Sequence, residues 1–353
     1  MAAPRWCVVI ALVGIAACSV SRGAPTPVPD APTITCPAAP DPVNSLDGAA
    51  LAVSFPAPVV SGGQAPLNTS CVPVSGSSFP IGTNTVTCTT SDARARTASC
   101  TFAVVVLPPP KLSVTSFLAF GDSITWGEDG TSAAAAPSGQ RVFLQLSGLT
   151  YPDVLQQDLH SRYQQQQTTV KNAGCPGEEL SQPGEFNDKC FGERQDDTSA
   201  YRRMATLASV HGWDVVLLME GSNDVNNAAK DSTVLPLALD YLRKMVDVAK
   251  ANGMKVILGT LPPMVPPGLP GRTDGWAIVP TYNDSVRALA ASEGVRLADV
   301  YQAFGSDAPT LIGFDGLHPN ADGYRRIADT FFDAIKSSFE TQPSAARTSR
   351  VKR

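Results

Sequence analysis

The chain has little of what metal, nucleic-acid and membrane-spanning proteins require. Its three histidines (His160, His211, His318) are scattered and its eight cysteines form no Cys-x-x-Cys pair, so zinc-site spacing is missing. No metal and no cofactor is expected. Lysine and arginine number 27 against 32 aspartates and glutamates, a net charge of −5, which excludes the basic stripe of a nucleic-acid binder. No Gly-x-Ser-x-Gly elbow occurs, which tells against the α/β-hydrolase family proper. Beyond residue 17 no apolar run reaches the ~20 residues that span a bilayer. Between residues 34 and 107 no segment has helical periodicity.

What is present divides along the chain. With 353 residues, 43% of them apolar, it is long enough for two domains with real cores. Arg5 and the apolar stretch Trp6 to Ala17 make residues 1–18 an export signal. That stretch ends in Ile15, Ala16, Ala17 and Cys18, which is similar to a bacterial lipobox. The resemblance implies a lipid-modified Cys18 at the mature N-terminus; a plain secretory signal is the other reading. Either way the chain leaves the cytoplasm for the cell envelope or beyond, with a lipid anchor at a bacterial membrane expected. Disulfides persist there. Residues 19–33 are a Pro-rich tether. Cys36, Cys71, Cys88 and Cys100 form one even set and Cys175 and Cys190 a second, the latter pair closing a loop beside Gly174. Four cysteines allow three connectivities, and spacing selects none.

Residues 34–107 alternate short β-rich runs, such as Thr85 to Cys88 and Phe102 to Val106, with turns at Gly62, Gly63, Pro80 and Gly82. A small β-sandwich is predicted. Ser75 to Cys88, followed by Ser99 to Phe102, resembles the hyalin repeat (HYR) domain, an immunoglobulin-like module of surface proteins. The resemblance implies pairing of Cys71 with Cys100 and of Cys36 with Cys88, and contacts to a surface glycan or protein. Asp92 to Arg96 replaces that family's usual Gly-Asn turn.

Pro108 to Pro110 begin a stiff linker, residues 108–114. From 115 to 340 strand and helix patterns alternate. The expected strands are Phe117–Phe120, Thr168–Asn172, Val215–Met219, Val256–Gly259 and Val295–Val300. Leu235, Ala238, Leu242, Met245 and Ala249 recur at helical spacing, with Ser232 as N-cap and Gly253 as stop. Ile327, Phe331, Ile335 and Phe339 mark the last helix. Alternation predicts a parallel sheet covered on both faces, with ligands at the carboxyl ends of the strands. A basic tail, 341–353, closes the chain.

Four segments carry chemistry, three of them at those strand ends. Gly121, Asp122 and Ser123 follow the first strand, Asn172 to Gly174 the second, and Gly221 to Asp224 the third. Asp315 to Pro319 supplies a carboxylate three residues before an imidazole. A serine hydroxyl is a poor nucleophile and needs a base near neutrality, which His318 supplies; Asp315 can fix its tautomer. The Ser123 and Gly174 N–H groups and the Asn223 amide are candidate oxyanion donors.

Together these four blocks, with Thr260 to Pro263 after the fourth strand, resemble the SGNH (GDSL-type) hydrolase family from about Phe117 to Phe339. The resemblance implies a three-layer α/β/α flavodoxin-like fold. It also implies Ser123 as nucleophile, His318 as general base and acid, Asp315 as its orienter, and Ser123, Gly174 and Asn223 as the oxyanion hole. The expected function is a secreted serine esterase acting on a lipid, an acetylated glycan or a small ester. The alternative is a surface adhesion or carbohydrate-binding protein that works through its β-sandwich. Met264, Val265 and Trp276 are candidates for an apolar acyl-side wall, and the irregular stretch from Trp126 to Thr150 for a rim over the site.

Overall fold

The computed structural model describes residues 29–131, 144–180, 199–210 and 212–341. Cys18, Cys190 and nearly all of the basic tail lie outside them. By packing the chain divides into two units. The first takes its described residues from Met1–Ala39, Ser54–Ser77 and Thr85–Ala103; the second takes them from Pro40–Val53, Ser78–Asn84 and Val104–Arg353. The division therefore does not fall at the Pro108 to Pro110 break.

The N-terminal region is all β, with β1 (Thr33–Thr35), β2 (Val43–Asn44), β3 (Leu51–Ala52), β4 (Val59–Ser61), β5 (Asn68–Val72), β6 (Ser78–Phe79), β7 (Gly82–Ser91) and β8 (Thr97–Leu107). In the first unit β1 pairs with β4 and β5 with β7, both antiparallel. The β5–β7 register sets Cys71 directly opposite Cys88, their Cα atoms 3.9 Å apart, and the two are bonded; Cys36 bonds Cys100. This corrects the pairing implied by the HYR resemblance. Cross-strand neighbours are already within bonding reach, and the other two cysteines are left to each other. The Asp92 to Arg96 turn closes without a Gly-Asn pair. Oδ1 of Asp92 accepts the N–H groups of Arg94 and Arg96, and Oδ2 accepts the Gln64 N–H and the Arg96 guanidinium. Burial works against that carboxylate, yet the Arg96 guanidinium and the backbone N–H groups hold its pKa well below the ordinary range.

The second unit continues with β9 (Lys111–Leu112), β10 (Ser116–Gly121), α1 (Ser123–Trp126), α2 (Tyr151–Arg162), β11 (Thr169–Gly174), α3 (Ala200–Val210), β12 (Val215–Met219), α4 (Ser222–Ala228), α5 (Val234–Ala251) and β13 (Lys255–Gly259). It ends with α6 (Val279–Glu293), β14 (Arg296–Ala298), α7 (Val300–Phe304), α8 (Ala308–Leu311), α9 (Ala321–Phe339) and β15 (Glu340–Thr341). Five parallel strands form one sheet in the order β11-β10-β12-β13-β14. That is the flavodoxin-like 2-1-3-4-5 order, as expected. Helices cover both faces, so β10 and β12 are almost wholly buried and read as continuous apolar runs. Tyr151 of α2 stacks on Phe331 of α9 with ring centroids 5.3 Å apart.

The first, second and fourth strands run Ser116–Gly121, Thr169–Gly174 and Lys255–Gly259, within one or two residues of the expected ends, and two further shifts have a visible cause. The Ser232 cap moves to Thr233, because the Asp231 carboxylate takes both the N–H and the hydroxyl of Thr233 and closes the turn one residue later. The fifth strand ends at Ala298 rather than Val300, because the Asp299 side chain accepts the Gln302 N–H and starts α7.

Candidate active site

The register of the sheet brings three of the four blocks to one rim. Gly121 at the end of β10 lies opposite Gly174 of β11 on one side and Met219 of β12 on the other. Ser123 follows as the first residue of α1, and Asp122 caps that helix by accepting the Ile124 N–H at 2.9 Å. The fourth block arrives from the loop between α8 and α9. Nε2 of His318 lies 2.8 Å from Oγ of Ser123, and Nδ1 lies 2.6 Å from Oδ2 of Asp315. Oδ1 of Asp315 accepts the N–H groups of Leu317 and His318, both at 2.9 Å, so the carboxylate fixes its loop as well as the ring. Burial raises the Asp315 pKa, but the His318 ring and these two N–H groups outweigh it and hold Asp315 ionised below the ordinary carboxylate range. Ser123, Asp315 and His318 are all buried.

The expected oxyanion donors separate. The Ser123 N–H has no acceptor among the described residues. Asn223, in the first turn of α4, spends one amide hydrogen on the Glu178 carbonyl at 2.8 Å and keeps the other. The Gly174 N–H, by contrast, already donates to Oδ1 of Asn172 at 3.0 Å. Gly174 is needed for a different reason: a Cβ there would stand 2.0 Å from the Trp126 nitrogen, so only glycine lets β11 and α1 meet. Three residues on, Gly177 turns the chain at φ +76°, and its N–H has no acceptor among the described residues.

The profile of the GDSL-like Lipase/Acylhydrolase family matches residues 119–326, and that of the HYR domain matches residues 29–106. The chain belongs to the GDSL-like lipase/acylhydrolase family. Over 140 residues it is 31% identical to a multidomain esterase of Ruminococcus flavefaciens, a stretch covering 38% of this chain and 17% of that protein. Over 140 residues it is 27% identical to the isoamyl acetate-hydrolyzing esterase of Saccharomyces cerevisiae, covering 34% of this chain and 55% of the relative. The chain thus spans well under two thirds of either relative. Among solved structures, the native M. smegmatis aryl esterase superposes with a TM-score of 0.51 at 18% identity, covering 63% of this chain and 99% of that one. That likeness bears on the fold.

Behind this GDSL-type site lies a buried polar frame that the sequence did not disclose. Oδ2 of Asp122 accepts both the N–H (3.1 Å) and the hydroxyl (2.6 Å) of Ser222, tying the Ser123 turn to the Asn223 turn. Burial pushes the Asp122 pKa up, and the hydrogen bonds from Ser222 and Ile124 pull against it. Asp224 accepts the Leu180 N–H with both oxygens, and burial pushes its carboxyl up to about 8. Glu220 is driven higher than usual by burial and then by the charges of Asp122, Glu178 and Asp224. Arg203 of α3 grips Glu178 through Nε (2.8 Å) and Nη2, and donates to the Ala173 and Gly121 carbonyls at the ends of β11 and β10. Acids on an apolar strand end and an arginine on the helix face that carries Ala200, Met204 and Leu207 were the only sequence signals.

Glu128 was not foreseen either. It follows α1, is 4% exposed, and sets Oε2 3.4 Å from Nε2 of His318. Glu128, Asp315 and His318 each offer a ligand atom, all within 4.8 Å of one another. Both ring nitrogens are nevertheless committed, one to Asp315 and one to Ser123, which is the geometry of proton transfer rather than ligation. Of the expected acyl-side wall, Met264 is buried, while Trp276 is 54% exposed. The Val265 and Leu269 N–H groups donate to Gly316 and Asp315 carbonyls, so this stretch braces the acid–imidazole loop. Cys175 is disulfide-bonded, and Cys190 lies outside the described residues.

Proposed function

We propose that the chain is a serine esterase that cleaves carboxylic esters through an acyl-enzyme on Ser123. The observation that carries the reading is the continuous hydrogen-bond chain Ser123–His318–Asp315, with links of 2.8 and 2.6 Å, in a buried setting. Attack by Oγ on the ester carbonyl sends the hydroxyl proton to Nε2, while Asp315 on Nδ1 stabilises the imidazolium. Nε2 then returns the proton to the departing alcohol. Water enters, loses a proton to the same nitrogen and attacks the acyl carbon; the acyl–Oγ bond breaks, Nε2 returns the proton to Oγ and the acid leaves. The charge that develops on the carbonyl oxygen is taken by the Ser123 N–H and the free Asn223 amide hydrogen. For the third donor we assign Gly177 in place of Gly174. The next residue's carbonyl accepts from Asn223, which sets the Gly177 turn beside that amide.

The relatives named for esterase activity support carboxylic esters as the substrate class, and a small acyl group such as acetyl suits so enclosed a nucleophile. A surface-binding role with the C-terminal domain as an inert scaffold has the intact hydrogen-bond chain against it. We also propose export to the cell envelope. Two described disulfides and a bonded Cys175 support an oxidising compartment. The lipid anchor rests on Ile15 to Cys18 alone.

The test is hydrolysis of p-nitrophenyl acetate by the purified full chain, with labelling by a fluorophosphonate probe. Turnover that drops to background in Ser123→Ala and His318→Ala, with the probe on Ser123, is the expected result. A label on any other residue overturns it.

A further inference from the structure

Glu128 is an acid facing the wrong nitrogen for an orienting role. Asp315 already holds Nδ1 of His318, and Glu128 reaches the opposite edge, with Oε2 3.4 Å from Nε2. Oε2 is buried and has no hydrogen-bond partner among the described residues. Its sister oxygen is fully engaged, accepting from Nη2 of Arg272 at 2.6 Å. The position is not loose. The Glu128 N–H donates to the Ser123 carbonyl at 3.0 Å, and its own carbonyl accepts the Tyr324 hydroxyl at 2.7 Å. A buried carboxylate oxygen with no partner is costly unless a positive charge comes to face it at some stage.

The reaction supplies that charge on the His318 ring. In the resting enzyme Nε2 offers a lone pair to the Ser123 hydroxyl, and a carboxylate beside a lone pair gains nothing. Once Ser123 attacks, Nε2 carries N–H and the ring is cationic, and the same carboxylate becomes an attractive neighbour in a site with little water. An interaction that exists only after proton transfer lowers the barrier without tightening substrate binding. We infer that Glu128 is a positioning residue that supports the His318 imidazolium from its Nε2 side, and that Arg272 sets how much of that negative charge the ring feels. This rests on His318 being the general base. The charged and titratable groups facing the ring are Asp315 on its own loop, Asp122 and Ser123 at α1, Glu128 with Arg272 behind it, and Asp129 and Tyr324 close by.

The experiment measures kcat, KM and the pH profile of kcat/KM on p-nitrophenyl acetate, with the full chain and two variants of checked thermal stability. Glu128→Gln keeps the volume and leaves Arg272 an acceptor. Its kcat should fall about tenfold, below the 100-fold floor of a complete general acid–base contribution, with KM little changed. The acid limb should move to lower pH, since the imidazolium has lost an anionic neighbour. Arg272→Gln should move that limb to higher pH, since the Glu128 charge is then uncompensated. A purely structural pair would lower kcat in both variants and leave the limb in place, and that result overturns the inference. So does a Glu128→Gln enzyme with unchanged kcat and limb. Fluorophosphonate labelling of wild-type Ser123 separates the two levels: an unlabelled Ser123 removes the mechanism itself, whereas a labelled wild type with an indifferent Glu128 removes only this inference.

Discussion

The Ser222 hydroxyl donates to Oδ2 of Asp122 at 2.6 Å, so the acid that caps the Ser123 helix also holds the turn that carries Asn223. Nucleophile and oxyanion donor are therefore placed relative to each other by one buried carboxylate, not by the sheet alone. Asp122→Ala removes an N-cap worth about 1 kcal/mol and orphans two Ser222 donors. It should lower the melting temperature and kcat together. Ser222→Ala leaves the cap intact and should cost less in both. A melting curve and a rate on each variant check the order.

Asn223 and Gly174 should fail differently. Asn223→Ala removes one oxyanion donor and should reduce kcat by roughly 100- to 1,000-fold with KM nearly kept. Gly174→Ala forces a methyl against the Trp126 backbone, so its first effect should be on folding, read as lower soluble yield and a lower melting temperature. A well-folded Gly174→Ala enzyme with normal stability and a large kcat loss would return Gly174 to the oxyanion hole.

How much of this was legible beforehand follows from what each signal depends on. The five strands and the ends of the main helices were visible because burial on both sheet faces leaves apolar runs and helix faces leave a 3.6-residue period. Ser123 and Asn223 were visible because they fall in short polar turns after apolar strands, and Asp315 and His318 because a carboxylate stands three residues before an imidazole in one short turn. Beside Glu128, three things were not. Arg203 and Glu178 meet across 25 residues of chain and Ser222 and Asp122 across 100, and no local pattern encodes such a meeting. The choice between Gly174 and Gly177 depends on which N–H the Asn172 side chain happens to occupy. The cysteine pairing depends on the register of β5 against β7, where a slip of one residue moves every partner.

The buried acids predict an unusual pH dependence of stability. Asp224 has its carboxyl pushed up to about 8 by burial, and Glu220 is raised as well. Between the ordinary carboxylate range and pH 8 the folded chain holds these protons and the unfolded chain does not. Stability contributed by them is full below the unfolded value and is lost as pH rises through that window. The depressed acids Asp315, Asp299 and Asp214 act the other way, but only at pH below their unfolded values. The melting temperature of the wild type should therefore decline from pH 5 to 8, and Asp224→Asn should flatten the slope. Identical slopes in both proteins would show that Asp224 is ionised in the fold.

Arg203 offers the sharpest test of the frame behind the site. It is 3% exposed, clasps Glu178, lies 3.9 Å from the Phe120 ring centroid and donates to the Gly121 carbonyl, the last of β10, and the Ala173 carbonyl, the last but one of β11. Removing one partner of a buried pair costs about 3–5 kcal/mol, while replacing both by apolar groups of similar volume is far milder. Arg203→Met should thus be much less stable than Arg203→Met with Glu178→Met. Activity should not follow stability. The double variant still lacks the donor that fixes the Gly121 and Ala173 carbonyls, and with it the approach to Ser123 and the 174–178 turn. Its kcat should stay depressed after its melting temperature has recovered. Recovery of both together would mean that the pair serves folding alone, and that the Asp122–Ser222 tie suffices to hold the site.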